Sequence, residues 1–318
     1  MKVSVIIPCY NAASYIRESV ISILNQTYKD LEIIICDDSS TDRSYQILTS
    51  INDPRIILIK NDRNIGYLRT VNKLFKTTSG SYIAFQDADD ISHHFRIESQ
   101  LQAINLKRLD LVGTNFKIIN HRGKVIRSVD KVLEDPDLIK VQLLNSNQFQ
   151  KPSILFRREI LDRVGGYRED FLRLKNISED YDWLLRIDEA GFRMGNINYK
   201  EPLYYYRSVP TAMTKGFNRI EQLFGERIAQ YLARQRRTGK PDSIERNDYN
   251  DLVEKIAEWK APYLNDPSKF YIERAAHLMY CGLTFQAIQF SWKACLKSRF
   301  SFLSIRTLLY CLRKNIVL

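Results

Sequence analysis

Between Val3 and Asp90 the chain repeats one pattern four times, a short apolar run followed by a polar turn. Nothing else in the sequence limits the fold as much. Val3-Ser4-Val5-Ile6-Ile7-Pro8, Leu31 to Cys36, Arg55 to Lys60 and the run opening at Ser81 read as strands. Their apolar residues are nearly continuous, as in strands covered on both faces. Between them Ile16, Val20, Ile23 and Leu24, then Tyr45, Ile47, Leu48 and Ile51, then Tyr67 to Thr77, recur at helical spacing. Asn11 or Ser14 is expected to cap the first helix. Such alternation predicts an α/β fold with a mostly parallel sheet. Right-handed crossovers place the ends of strands one, two and four on one sheet edge, where ligands of open α/β sheets bind.

Three polar segments occupy those ends: Pro8-Cys9-Tyr10-Asn11, Asp37-Asp38-Ser39-Ser40-Thr41-Asp42 and Asp87-Ala88-Asp89-Asp90. Asp87 and Asp89 are two apart, so in extended chain their carboxylates leave one face. A convergent pair suits a hard divalent cation that also holds phosphate oxygens. A polar turn that only caps the next helix is the competing reading. There is no Gly-x-Gly-x-x-Gly after the first strand and no Gly-x-x-x-x-Gly-Lys, so a dinucleotide fingerprint and a P-loop have no support. A haloacid-dehalogenase-type phosphatase needs its Asp-x-Asp after the first strand, and this chain has Pro8-Cys9-Tyr10-Asn11 there.

Further along, Phe95 to Lys107 predicts a helix, Leu109 to Asn120 one strand, and His121-Arg122-Gly123-Lys124 a hairpin turn. Asp137 to Leu144 reads as a helix and Pro152 to Arg157 as a strand, with a helix from Arg158 broken at Gly165-Gly166-Tyr167. Ser178 is expected to cap a helix that opens on Glu179-Asp180-Tyr181-Asp182, acids that suit the positive end of its dipole. Trp183 is expected in the core, with the floor of an acceptor site as the other reading. Leu203 to Arg207 is a last short strand. From Phe217 onward only helices remain, near 218–236, 243–260, 267–280, 283–297 and 300–313, and the boundary between the two parts falls near residue 215.

Net charge is +11, and no Asp or Glu follows Arg274. That tail suits nucleic acid, an anionic membrane surface or an acidic partner; a solvated helical face is the plain alternative. Five cysteines with no Cys-x-x-Cys pair read as reduced thiols. No apolar stretch approaches the length needed to cross a bilayer, and Val3 to Pro8 is too short for a signal peptide, so cytosolic residence is the expectation.

Taken together, Pro8-x-Tyr10-Asn11, Asp37-Asp38-Ser39-Ser40-x-Asp42, Asn64-x-Gly66, Asp87-x-Asp89-Asp90, Gly165-Gly166-Tyr167 and Glu179-Asp180-Tyr181-Asp182 resemble the family 2 glycosyltransferases of the GT-A fold. The match covers about residues 1–210. It implies a Rossmann-like, mostly parallel sheet flanked by helices over 1–215; the all-α C-terminal extension over 216–318 lies outside the resemblance and is read from the helical spacing alone. It also implies inverting transfer of one sugar from a nucleotide-sugar donor, most often a UDP-sugar, to an acceptor hydroxyl. By the same resemblance Pro8, Tyr10 and Asn11 line the base and ribose pocket. Asp38 binds the pyrimidine, with Asp37 able to trade places, and Asn64 and Gly66 lie under the nucleotide. Asp87 binds ribose or supports the metal, and Asp89 is the direct ligand of Mn²⁺ or Mg²⁺. Asp180 matches the general base, with Glu179 beside it; Arg207 is placed to reach the diphosphate, with a surface ion pair as the competing reading.

The chemistry needs these groups. Charge develops on a phosphate oxygen as the donor bond breaks, and a divalent cation neutralises it. The acceptor hydroxyl is a poor nucleophile without a base in hydrogen-bond reach. One displacement opposite the leaving group inverts the anomeric centre. The chain departs from the family where many members carry a metal-binding histidine two residues after Tyr-Arg: here Tyr206-Arg207 is followed by Ser208-Val209-Pro210. Processive synthases carry transmembrane helices and Gln-x-x-Arg-Trp, and neither is present.

The expected acceptor is a glycan or lipid-linked intermediate of surface polysaccharide synthesis. Arg299 to Leu312 is loosely amphipathic. It fits a helix packed on its own domain or a second subunit somewhat better than a peripheral helix on the inner face of the cell membrane. A non-catalytic nucleotide-sugar binder and a nucleic-acid binder are the alternative functions. The intact acids argue against the first, and the absence of a recognised module argues against the second.

Overall fold

The computed structural model of the chain describes residues 1–174, 178–209 and 220–316. The chain runs β1 (Val3–Cys9), α1 (Ile16–Leu24), β2 (Leu31–Asp37), α2 (Ser44–Thr49), β3 (Ile56–Lys60), α3 (Tyr67–Thr77), β4 (Tyr82–Phe85), β5 (Ile91–Ser92), α4 (Arg96–Lys107), β6 (Leu111–Thr114), β7 (Phe116–Ile119) and β8 (Val125–Val129). It continues through α5 (Pro136–Leu143), β9 (Leu155–Arg157), α6 (Glu159–Val164), α7 (Asp170–Arg173), α8 (Glu179–Glu189), β10 (Met194–Ile197) and β11 (Tyr204–Arg207). Last come α9 (Gly225–Arg237), α10 (Tyr249–Asn265), α11 (Ser268–Tyr280), α12 (Thr284–Lys297) and α13 (Phe302–Ile316).

Seven strands form the main sheet in the order β10-β6-β9-β4-β1-β2-β3. Pairing is parallel except at β9, which runs against both β4 and β6. Every residue of β1, β2 and β4 is buried, the two-sided cover that the continuous apolar runs require. Alternate residues of one strand serve opposite faces. Ile6, Ile34, Ile83 and Phe85 join the core on one side of the sheet, and Val5, Ile7, Ile33, Ile35 and Ala84 that on the other. The carboxyl ends of β4, β1 and β2 are thus next to one another, as the sequence implied. A second sheet, β5-β11-β7-β8, stands beside the first.

Four local expectations are corrected. The run Leu109 to Asn120 is two strands in different sheets. The switch is made at fully buried Asn115, whose amide donates to the Asp130 carbonyl at 3.1 Å and the Tyr199 carbonyl at 2.9 Å. Lys151–Ser153 is a 3-10 turn, and strand begins only at Leu155. No side chain caps α1. The loop before it is tied instead to the Asp42 turn, with Ala13 N–H on Asp42 at 3.0 Å and Ala12 N–H on Ser44 Oγ at 2.8 Å. The helix expected near 243–260 runs on through Pro262 to Asn265.

The hydrophobic core runs from the strand-bearing part, whose last described strand is β11, into helix α9. Ile228, Ala229, Leu232 and Ala233 of α9 pack in the same cluster as Tyr181, Leu184 and Leu185 of α8. Charge crosses too. Fully buried Asp182 takes bonds from Arg168 at 2.5 Å, Arg186 at 3.0 Å and Arg236 of α9 at 3.3 Å, while Asp242 bonds Arg168 at 2.7 Å. Helices α11 to α13 have a small core of their own, around Ala275, Leu278, Ala287 and Cys311. A corner of that bundle meets the second sheet: Ser208 Oγ donates to the Cys281 carbonyl at 2.6 Å. Gly282 turns there with φ +73°, and a Cβ on it would come within 2.5 Å of Ile126 Cγ2. All five cysteines are free and buried.

Candidate active site

The first wall of the crevice is built by the turns after β1 and β2. Tyr10 stands 48% exposed, so it is no core aromatic. Asn11 adopts φ +49°, which asparagine tolerates better than most residues. Its carboxamide oxygen takes the Thr41 N–H at 2.8 Å, and its own N–H donates to Ser40 Oγ at 3.0 Å, locking the two turns together. Pro8 is buried beside Cys36, its strand partner. Asp37 and Asp38 are both buried. Asp37 accepts from the Ser40 N–H at 3.1 Å. Asp38 holds the next loop: it accepts from Asn61 at 2.7 Å and from the N–H groups of Ile65 and Gly66, each at 2.9 Å. Asn64 also accepts from Gly66 N–H, at 3.0 Å, and Gly66 has φ +88° with nothing within 4 Å of its missing Cβ. Asn64 and Gly66 therefore shape the entry into α3, with Asp38 as their anchor.

The second wall is the turn after β4. Its frame is backbone: Ser19 Oγ donates to the Asp87 carbonyl at 2.9 Å, and the Asp87 N–H donates to Tyr204 Oη at 3.2 Å. Asp90 is fully buried and accepts the Arg207 N–H at 2.6 Å, which braces the turn. Arg207 is 2% exposed, and its guanidinium is engaged within the protein. It bonds the Asp89 carbonyl at 2.7 Å, the Asn120 carbonyl at 3.3 Å and Glu18 at 2.6 Å, and lies over the Tyr15 ring. In this arrangement it holds the Asp89 turn. Ser208 and Val209, after it, are buried, and Pro210 is outside the described residues. His93 and His94 precede α4, their rings stacked 4.3 Å apart.

The third wall is the start of α8. Ser178 sits at the cap position without a side-chain cap bond. The helix is fixed from below. Trp183, fully buried, donates to the Gly165 carbonyl at 2.9 Å, and Arg186 reaches the carbonyls of Val164 at 2.8 Å and Gly166 at 2.7 Å. Gly165 ends α6 with φ +75°. Gly166 lets Asn72 of α3 close on the turn, since a Cβ would lie 2.5 Å from its Oδ1. Asn72 bonds Tyr167 twice, at 2.8 and 2.9 Å. The Gly-Gly-Tyr motif is thus the joint that sets α8 against α3.

Two residues the sequence reading passed over complete the centre. Lys151 Nζ lies 3.4 Å from Asp87 Oδ1 and bonds Tyr67 Oη; Tyr67 Oη is 3.5 Å from the same carboxylate oxygen. Burial pushes the Asp87 carboxyl up to about 8, helped by the charges of Asp89 and then Asp180. Burial holds the Lys151 ammonium down to about 8, against the pull of Asp180 and Glu179. Glu179 is pushed up to about 7 by burial and by Asp180. Asp180 is raised by burial, with Lys151 and the Tyr181 N–H opposing. Glu226, in the first turn of α9, is raised by burial and by the Asp180 charge. So Asp180 is felt at Asp87, which also feels Asp89, and the adjacent carboxyl ends of β4, β1 and β2 set the Asp37–Asp38 turn on the same sheet edge.

Carboxylates forced together and desolvated can trap a cation, and their oxygens are hard donors. Among the described residues no group of three His, Cys, Asp or Glu side chains is set to hold a metal alone. A cation at Asp87 and Asp89 would take further oxygens from a phosphate, which is what a diphosphate substrate brings.

Comparison with known proteins agrees with the geometry. The family described as "Glycosyl transferase family 2" matches residues 4–165. The putative glycosyltransferase EpsE of Bacillus subtilis (strain 168) is 33% identical over 210 residues, 65% of this chain and 73% of that protein. The UDP-Glc:alpha-D-GlcNAc-diphosphoundecaprenol beta-1,3-glucosyltransferase WfaP of Escherichia coli is 35% identical over 208 residues, 64% of this chain and 76% of that protein. The crystal structure of S. aureus TarS 1-349 in complex with UDP superposes with a TM-score of 0.58 at 19% identity, over 97% of this chain and 89% of that one. At that identity it speaks for the fold.

Proposed function

The chain belongs to glycosyltransferase family 2, and from that premise we propose that it is an inverting, non-processive enzyme moving one sugar from a UDP-sugar to an acceptor hydroxyl. What supports the proposal is the ion pair of Lys151 with Asp87 at 3.4 Å, both of which feel the Asp180 charge, so that a base candidate is linked to the Asp-x-Asp turn. Residues 1–215 carry the reaction, and 216–318 serve acceptor, membrane-surface or oligomer contacts. Tyr10 offers its exposed ring to the base, an interaction worth about 1–3 kcal/mol in single-strand systems. Pro8, Asn11, Asp37, Asp38, Asn64 and Gly66 shape the nucleoside pocket around it. Asp89, with Asp87, would hold Mn²⁺ or Mg²⁺, which supplies charge neutralisation at the departing diphosphate. Asp180 takes the acceptor proton, and Glu179 beside it keeps the local charge high. Arg207 keeps the Asp89 turn in place from behind. A polyprenyl-diphosphate-linked acceptor is supported by the relative WfaP, whose name states such a substrate.

The test is UDP release from a panel of UDP-, GDP- and dTDP-sugars, with and without Mn²⁺ or Mg²⁺, followed by Asp180→Asn. Release from a UDP-sugar that needs the cation is expected, with a loss of about 10²–10⁴-fold in the variant. Full activity of Asp180→Asn removes Asp180 from the mechanism, and turnover of no sugar nucleotide removes the whole reading.

A further inference from the structure

Helices α12 and α13 are folded with their small and polar residues inward. The buried positions of α12 are Ala287, Ser291, Ala294 and Cys295. Those of α13 include Ser304 and Cys311, with Thr307 half-buried. Several of the large apolar residues face out: Phe285 is 70% exposed and Phe302 82%, and Trp292, Leu296 and Leu309 are each about half exposed or more, while Ile288 and Phe290 pack inward. On α13 the outward residues Phe302, Ile305, Leu309 and Leu312 recur at steps of three and four, the spacing by which a helix normally presents a face to a core. The turn between the helices adds Phe300, held with φ +63° after Arg299 at φ +52°, its ring against that of Trp292 with centroids 5.9 Å apart. An exposed apolar surface of this kind marks an interaction site.

Its charge narrows the occupant. Lys293, Lys297, Arg299 and Arg306 are exposed among these residues, and no carboxylate follows Arg274 in the sequence. A second copy meeting the same face about a two-fold axis would set cations against cations. Aromatic and leucine side chains on one face with Lys and Arg along its borders are the composition of a helix that lies in a lipid interface. No described helix is long and apolar enough to cross a membrane. We propose that α12, α13 and the turn joining them form a membrane-docking face, which seats the protein on an anionic phospholipid surface with Phe302 and Leu309 entering the acyl boundary. The inference stands on these two helices and does not need the transfer reaction.

The test is co-sedimentation of the full chain with vesicles of phosphatidylcholine alone and of phosphatidylcholine mixed equally with phosphatidylglycerol. Binding is expected to the mixed vesicles, to weaken as salt is raised, and to be near zero on the neutral ones. Lys297→Gln with Arg306→Gln should lower the partition about twenty-five-fold, at about fivefold for each cation removed near the surface. Phe302→Glu with Leu309→Glu should abolish binding, with an unchanged thermal melt because both side chains are in solvent. Absence of binding by the parent chain overturns the proposal, as does equal binding to both vesicles or undiminished binding by the Glu variant. A dimer in light scattering that the Glu variant dissociates, without vesicle binding, gives the face to a second copy instead. Sugar-nucleotide hydrolysis should be unaffected in both variants, so a failed vesicle experiment leaves the transferase reading where it stands.

Discussion

Lys151 has carboxylates on two sides, Asp87 in direct contact and the Glu179–Asp180 pair within electrostatic reach. The Asp180 carboxyl is raised by burial and lowered by this ammonium. If Asp180 accepts the proton, the carboxylate is the active form, so kcat/KM falls as pH falls through its pKa. The acid limb should therefore lie above the ordinary aspartate value of about 3.9. Lys151→Met removes the lowering influence, so the limb should move to still higher pH; a limb that stays put would separate Lys151 from the base. The acids of this site are legible as motifs because they stand within one or two positions of each other at strand ends or, for Glu179 and Asp180, at a helix start. Lys151 was not legible. It is a single cation before Pro152, and it reaches Asp87 only because β9 returns antiparallel between β4 and β6. Asp182 shows the reverse case: it was read as one more first-turn acid, but its partners make it a buried anion among three arginines.

That network matters at the scale of the element. Helix α8 presents Glu179 and Asp180 from its first turn and is pinned by Asp182, Trp183 and Arg186 one turn below. Removing the Asp182 anion leaves the guanidinium groups of Arg168, Arg186 and Arg236 close together with less compensation. Asp182→Ala should cost about 3–5 kcal/mol in denaturant unfolding, the range for breaking a buried ion pair. A cost below about 1 kcal/mol would assign these contacts to the weak class of surface pairs. The bounds of α8 could be read from Ser178 and the acids after it, and those of α3 from apolar spacing alone. The split of Leu109 to Asn120 into two strands could not, because apolar residues continue across it. What ends β6 is the set of carbonyls waiting for the Asn115 amide, and these come from distant chain.

At the scale of the molecule, composition and packing divide the chain differently. The last described strand ends at Arg207, yet α9 completes the core beneath α8 and supplies Arg236 to Asp182. A chain stopped at residue 215 should be insoluble or melt without cooperativity. One stopped at Asp266, which keeps α9 and α10, should remain soluble and unfold in one transition by calorimetry. Cooperative folding of the shorter chain would show that the sheet needs no help from the helical region. The contact between Ser208 and the Cys281 carbonyl has a mechanical side. Ser208 adjoins Arg207, and Arg207 grips the Asp89 carbonyl. A tug on the last three helices has a single peptide link to cross before it arrives at the loop where the donor's diphosphate would rest, so tail and pocket are strung on one tether.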